Sequence, residues 1–210
     1  MPEGALEFTA TRIARLELKD EQQLVREGYE LLDEKRILLA AQIRRELAQL
    51  AALRQEGAEL KRELRSRTLA ALGRHGLDEL WVYPPLSLAG DRLRLRRRRL
   101  FGLELLDAQL EAAAQPSTPA EQPVNPTPEA RACAAAHRRW LFGAVKLAAC
   151  CVNLRRLIAD YVRTERRARA IENVLMPEVE SALKIIDDQL EAMDQEEIAR
   201  FRQRRDDGQR

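Results

Sequence analysis

The chain has 210 residues, of which 4% are aromatic and 33% charged, a profile of long helices rather than of a compact aromatic core. Thirty-six basic against 34 acidic residues leave a net charge of +2, too balanced for nucleic-acid binding along the whole length, and no run of about 18 uncharged apolar residues is present to cross a membrane. The cysteines Cys133, Cys150 and Cys151 are odd in number and lack a CxxC companion, so neither a disulfide framework nor a zinc site follows and they read as small buried thiols, while two histidines give metal or general-base chemistry little to work with.

From Thr9 to about Leu72 no proline occurs and the only glycines are Gly28 and Gly57, so one helix can run through the segment. At 1.5 Å per residue it would form a rod of roughly 90 Å, which a small globule cannot bury. Leu24, Leu31 and Leu38 recur seven apart, and then Ile43, Leu50, Gly57 and Leu64 do so in a second row. The step between the rows reads as a stutter in a weakly wound coil. Gly28 and Gly57 are candidates for close helix approach, since each costs about 1 kcal/mol in propensity relative to alanine.

Gly73, Gly76 and the pair Pro84-Pro85 end regular helix. The segment from Asp91 to Ala108 then changes period: Leu93 and Leu95 alternate with arginines, and Leu103 and Leu105 flank Glu104 beyond a Phe101-Gly102 turn. This predicts a short β-hairpin. Arg92, Arg94, Arg96, Arg97, Arg98 and Arg99 make it the loudest local signal, a candidate partner-binding surface or a charged edge strand guarded against aggregation. No aromatic residue is interleaved with them, which places nucleic acid behind an acidic protein partner. A proline-rich linker follows, and Trp81 and Trp140 are expected to pack where the middle region meets the shaft.

The second helix is expected from about Ala130 to Arg205, with Leu154, Ile158, Tyr161, Ala168, Ile171, Leu175, Val179, Ala182, Ile186, Leu190 and Met193 on its apolar stripe. Phe201 continues that spacing. Pro177 lies inside the stripe and crowds the carbonyl of Asn173, which predicts a kink rather than an end. The divisions are therefore an N-terminal shaft helix at 9–73, a middle region with a short helix and the β-hairpin at 74–115, a linker at 116–129 and a C-terminal shaft helix at 130–205. The fold class is all-α dominated: a long antiparallel two-helix coiled coil with a small middle β-hairpin, both termini at one end. With Thr11 level with Phe201, opposed residue numbers add to about 212, which sets Leu24 against the Ile185 to Leu190 turns.

There is no phosphate-binding GxxxxGK[ST] loop, no GxGxxG, no HExxH and no nucleophile beside a plausible histidine. Paired acids such as Asp187-Asp188 and Glu196-Glu197 fit solvated helix faces. The reading is of a non-catalytic chain, with no catalytic, cofactor or metal residues.

Thr11-Arg12, Leu16 and the run REGYELLDEKRILL from Arg26 to Leu39 resemble the N-terminal segment of the D subunit family of the V-type and archaeal A-type rotary ATPases and ATP synthases. Asp33 stands where that family usually has lysine, and Ile37 where an acid is common. RRRRLFGLELLDAQLE from Arg96 to Glu111 resembles the family's hairpin, and the stretch from Arg166 to Arg205 resembles its C-terminal helix, with Asn173 to Pro177 at the family's helix-internal proline. The resemblance implies a central-stalk rotor shaft that couples ATP synthesis or hydrolysis in a catalytic head to proton or sodium transport. It implies as partners the catalytic and regulatory head subunits, the small F subunit of the stalk and a membrane-side coupling subunit near the hairpin. It further implies no bound nucleotide, no nucleic acid, and a cytoplasmic place peripheral to the inner face of the cell membrane. The competing reading is a stand-alone coiled-coil tether whose basic hairpin holds nucleic acid or an anionic surface.

Overall fold

The computed structural model describes residues 11–81, 88, 91–112 and 127–207. Helix α1 spans Arg12–Trp81, strands β1 and β2 span Arg92–Leu100 and Leu103–Glu111, helix α2 spans Pro128–Ala170, a π-turn occupies Ile171–Leu175, and helix α3 spans Met176–Asp207. Within each of the two units described below, α1 pairs antiparallel with the returning helix, and β1 and β2 form a two-stranded antiparallel sheet. No helix among the described residues is long and apolar enough to cross a membrane. The expected helical start at Thr9, the Trp81 side chain, Pro84-Pro85 and most of the 116–129 linker lie outside the described residues.

Local chemistry sets the helix ends. Thr11 caps α1: its hydroxyl accepts from the Ala14 N–H at 3.1 Å and its carbonyl from the Arg15 N–H at 3.1 Å. Thr127 caps α2 in the same way, accepting from Ala130 N–H at 3.4 Å, and Pro128 follows at the first helical position, where its missing N–H costs nothing. Gly73 does not end α1; the helical backbone is interrupted at Gly76, whose φ of 70° falls in the left-handed region open to glycine.

The chain divides into two compact units. One comprises residues 1–38 and 161–210. Its core is Leu18, Val179, Leu183 and Ile186, with Ala14, Ala182 and Leu190 packed around it. Asp187 binds Arg15 at 2.5 Å, Glu165 binds Arg36 at 3.0 Å, and the paired numbers add to 202 and 201 rather than 212. Arg12 is level with Asp194, at 3.6 Å, not with Phe201. Leu24 therefore belongs opposite the Glu178 turn, and the placement against Ile185 to Leu190 is corrected.

Glu165 accepts hydrogen bonds from Arg36 at 3.0 Å and from Arg169 at 2.9 Å. The Arg36 bond is the largest cause holding its carboxyl below the ordinary value of 4.5, with Arg169 acting the same way and burial opposing. A lowered carboxylate contributes stability that is present above about pH 4.5 and is lost as pH falls through the lower folded value. Arg36→Gln is expected to flatten that acid limb while leaving the slope near pH 7 unchanged, as followed by helical circular dichroism against pH.

The other unit comprises residues 39–160. Leu39, Leu50, Ala71, Cys150 and Leu157 are buried in it, with Leu39 and Leu157 fully so. The close approach lies at neither expected glycine: a Cβ added at Gly28 or Gly57 would meet nothing within 4 Å, whereas one at Gly143 would lie 3.0 Å from the Leu60 side chain. Near the helix ends, buried His75 and Thr127 share a 2.6 Å hydrogen bond.

The heptad phase expected from the sequence needs correction in part. Leu50 is buried and Ile43 and Leu64 are half-buried, but Leu24, Leu31 and Leu38 are exposed. The inward row is displaced by one residue, through Leu18, Val25 and Leu32 in the first unit and Leu39, Glu46, Leu53 and Leu60 in the second. These positions stay seven apart, so α1 needs no stutter. The leucine pairs Leu31-Leu32 and Leu38-Leu39 offer both phases, and the true one carries polar Glu46, which disguises it.

On the second strand of the coil, Leu154, Tyr161, Ala168, Ile171, Val179, Ala182, Ile186 and Leu190 face inward or partly so, whereas Ile158, Leu175 and Met193 are exposed. Leu157 takes the place expected for Ile158. Leu175 is displaced by the π-turn: the Met176 N–H bonds to the Ile171 carbonyl, five residues back, so the inward row steps from Ile171 to Met176 and then Val179. Pro177 has no N–H to offer Asn173, and the wider turn just before it relieves the crowding of that carbonyl by its ring. Met193 lies near the end of the coil, where Ile198 and Phe201 are also exposed. Trp140 is likewise exposed, against the expectation that it packs at the shaft.

Candidate partner-binding hairpin

The two strands pair antiparallel from Arg92 opposite Glu111 to Leu100 opposite Leu103, closed by the two-residue turn Phe101-Gly102. Both turn residues have positive φ, 50° and 82°, the mirror-image turn whose twist matches that of paired strands. Gly102 adopts it freely, and Phe101 accepts a conformation uncommon for a bulky side chain. The turn fixes the register, and the register sorts the arginines. Residues directly opposite each other share a face, so Arg92, Arg94, Arg96 and Arg98 lie on one side, with Leu93, Leu95, Arg97 and Arg99 on the other.

An isolated hairpin of two strands is marginal in water, so its docking on the helices decides whether it persists. Asn153 of α2 makes the principal attachment. Its side-chain oxygen accepts from the Leu106 N–H at 2.7 Å and its amide donates to the Leu106 carbonyl at 2.7 Å, completing both outward backbone groups of that residue. Arg156 adds a 2.6 Å bond to the Glu104 carbonyl. Leu105 and Ala108, on opposite faces of the sheet, are both buried. At the strand entrance, Arg138 pairs at 2.5 Å with the Asp91 carboxylate, whose side chain is almost fully buried, and stacks over Phe142 at 5.8 Å.

Glu46 forms the floor under β1. It is buried on α1, accepts from Gln42 at 3.0 Å and lies 3.7 Å from Arg98. The Cys150 thiol donates to the Glu46 carbonyl at 3.6 Å. Burial pushes that thiol up from its ordinary value, with Glu46 adding to the shift, so it stays protonated and unreactive at neutral pH. A cleft of about 610 Å³ separates hairpin and helices here, lined in part by Glu46, Arg96, Arg98, Lys146 and Asn153.

The charge census leaves a surplus on β1. Arg94 pairs with Glu111 at 2.8 Å and Arg97 with Glu104 at 3.4 Å. Arg92, Arg96 and Arg99 have no ion pair among the described residues. Every one of the six expected arginines is exposed to solvent. The attachment is invisible to sequence reasoning: Asn153 sits between apolar neighbours, and its one signal is a lone amide on an inward helix position, which demands partners when buried.

The family model for the ATP synthase D subunit matches residues 14–204. Among curated proteins, the chain is 26% identical over 205 residues to the A-type ATP synthase D subunit of Thermococcus gammatolerans, covering 94% of this chain and 92% of that protein. It is 25% identical over 215 residues to the protein of the same description from Pyrococcus abyssi, covering 96% and 94%. The corresponding Thermococcus sibiricus protein is 24% identical over 207 residues, covering 94% and 92%.

Proposed function

Because the chain belongs to the family of the ATP synthase D subunit, a central-stalk component of A/V-type ATP synthases, we propose that it is the shaft that turns inside the catalytic head and carries torque to the ion-translocating machinery. The observation that carries this reading is a family match extending across both helices and the hairpin, from residue 14 to residue 204. A tether with an unrelated basic hairpin would have no reason to match over that span. The chain acts without catalysis of its own. Its partners are the head subunits, the small F subunit of the stalk and the membrane-side coupling subunit, and it is peripheral to the inner face of the membrane through the complex.

Torque transmission needs a packed seam and a firm grip at each end. The seam is supplied by buried leucine and isoleucine, each contributing about 1.5–3 kcal/mol on full burial. The proposed seam uses Ile43, Leu50, Leu64, Leu154, Tyr161, Val179, Ile186 and Leu190, all of them buried or half-buried. The kink assigned to Pro177, with the π-turn before it, would give the shaft the asymmetry that a head of repeated subunits can sense in turn. The hairpin offers the grip on the membrane side through its arginines.

The test replaces Arg92, Arg96 and Arg99 by glutamine in the assembled enzyme. ATP hydrolysis by the head is expected to persist near its normal rate, while ion pumping per ATP falls severalfold. Unchanged pumping would mean that these side chains only solvate an edge strand.

A further inference from the structure

The two outer edges of the hairpin are treated differently. A two-residue turn makes Leu100 and Leu103 a hydrogen-bonded pair, so Arg98, Arg96, Arg94 and Arg92 bond across to β2 while the N–H and C=O groups of Arg99, Arg97, Leu95 and Leu93 point outward. The same alternation turns Glu104 and Leu106 outward on β2, and there α2 meets them through Asn153 and Arg156. On β1 no described residue meets them. Leu93 and Leu95 stand there 55% and 51% exposed.

We propose that the free edge of β1 accepts an extended acidic segment of a partner protein as a third strand. The inference rests on reading the hairpin as a contact surface and adds the mode of contact and the chemistry of the partner. Strand addition uses the outward backbone groups for affinity and alternate side chains for selection. Arg92 and Arg96, left without an ion pair among the described residues while Arg94 and Arg98 pair with Glu111 and Glu46, select acids on one face of the incoming strand. The other face selects an apolar residue beside Leu93 and Leu95 and an acid beside Arg99, since Arg97 pairs with Glu104.

Other occupants fit less well. A second copy would set six arginines against six, and like charges opposite each other destabilise a pair of strands. The chain's own segment from Ala113 to Pro126 contains Pro116, Pro119, Pro123 and Pro126 and one acid, Glu121, a composition unsuited to a strand. Nucleic acid would use the charges but leave the outward backbone groups and both leucines unused.

The test uses the full-length purified chain and a synthetic peptide as long as β1 that alternates glutamate with valine. A control peptide has the same charge, with prolines replacing two valines. Hydrogen exchange is read residue by residue. The expected result is slowed exchange at the amides of Leu93, Leu95, Arg97 and Arg99, with binding at least tenfold weaker for the proline peptide. Leu95→Pro should also weaken binding at least tenfold, because it removes an outward donor while the bonds to β2, checked by protection of the inner amides, remain. Equal binding of the two peptides, or binding without protection of those four amides, overturns the proposal in favour of plain charge attraction. So does absence of peptide binding alongside tight, steeply salt-dependent binding of duplex DNA. No other component of an ATPase takes part in this assay, so its failure would leave the stalk assignment standing.

Discussion

Leu157→Ala is expected to destabilise the chain by about 2–5 kcal/mol, whereas Ile158→Ala, one residue along the same helix, should cost less than about 1 kcal/mol. Leu157 is fully buried and Ile158 is 44% exposed. Truncating the first leaves a cavity that a close-packed seam cannot collapse around; truncating the second removes atoms that already touch water. The pair Leu39 and Leu38 should repeat the contrast on α1, since Leu39 is fully buried and Leu38 exposed. Urea denaturation followed by circular dichroism measures all four variants. Equal losses within either pair would contradict the assigned inward face.

Asn153→Ala should release the hairpin while leaving the helices nearly as stable as before. The substitution removes both partners of the Leu106 backbone at once, each now a 2.7 Å bond. Leaving a buried backbone group unmet costs about 1–3 kcal/mol, so docking should weaken by roughly 2–4 kcal/mol when both are affected and water recovers part of the loss. A two-stranded sheet without its support is marginal, and undocking therefore melts it. Amide exchange at the inner positions of β1, such as Arg96 and Arg98, should accelerate by about thirtyfold or more. Helical amides near Leu157 should hardly change. If exchange in the hairpin is unaltered, Arg156 and the apolar contacts of Leu105 hold it without the amide.

The long helices, their antiparallel return and the hairpin with its Phe101-Gly102 turn are legible because each rests on local signals: an absence of breakers, a 3.5-residue period, and an alternation of Leu with Arg. The phase of α1 is not legible from hydrophobicity, because Leu31 and Leu32, or Leu38 and Leu39, satisfy either choice. A single unbroken row from Leu18 to Leu60 would favour the true phase over two rows joined by a stutter. It is obscured by Glu46, a buried acid whose place depends on Gln42, Arg98 and Cys150, all supplied by folding. On the returning helix, Pro177 announces an irregularity but not its form. The π-turn inserts one residue, and that insertion moves Leu175 off the seam while keeping Val179 and Ile186 on it.

Of the candidate site, the arginines are visible as a run, whereas their division between two faces depends on the register. The attachment by Asn153 cannot be seen in a linear pattern, since the partner backbone lies 47 positions away. The antiparallel offset illustrates the same limit. Choosing Thr11 and Phe201 as level ends gives 212, but ion pairs between Arg15 and Asp187 and between Arg36 and Glu165 set the coil about ten residues differently. Helix ends do not define a register; packed side chains do.

The central claim, that this chain is the moving shaft of a rotary enzyme, is tested most directly by watching it turn. The head assembled with this chain is fixed to a surface, a bead is attached through a single introduced cysteine at Phe101→Cys in the exposed turn, and ATP is added. The account predicts stepwise rotation in one direction that stops when ATP is withdrawn. A bead that stays still on heads that continue to hydrolyse ATP would contradict it.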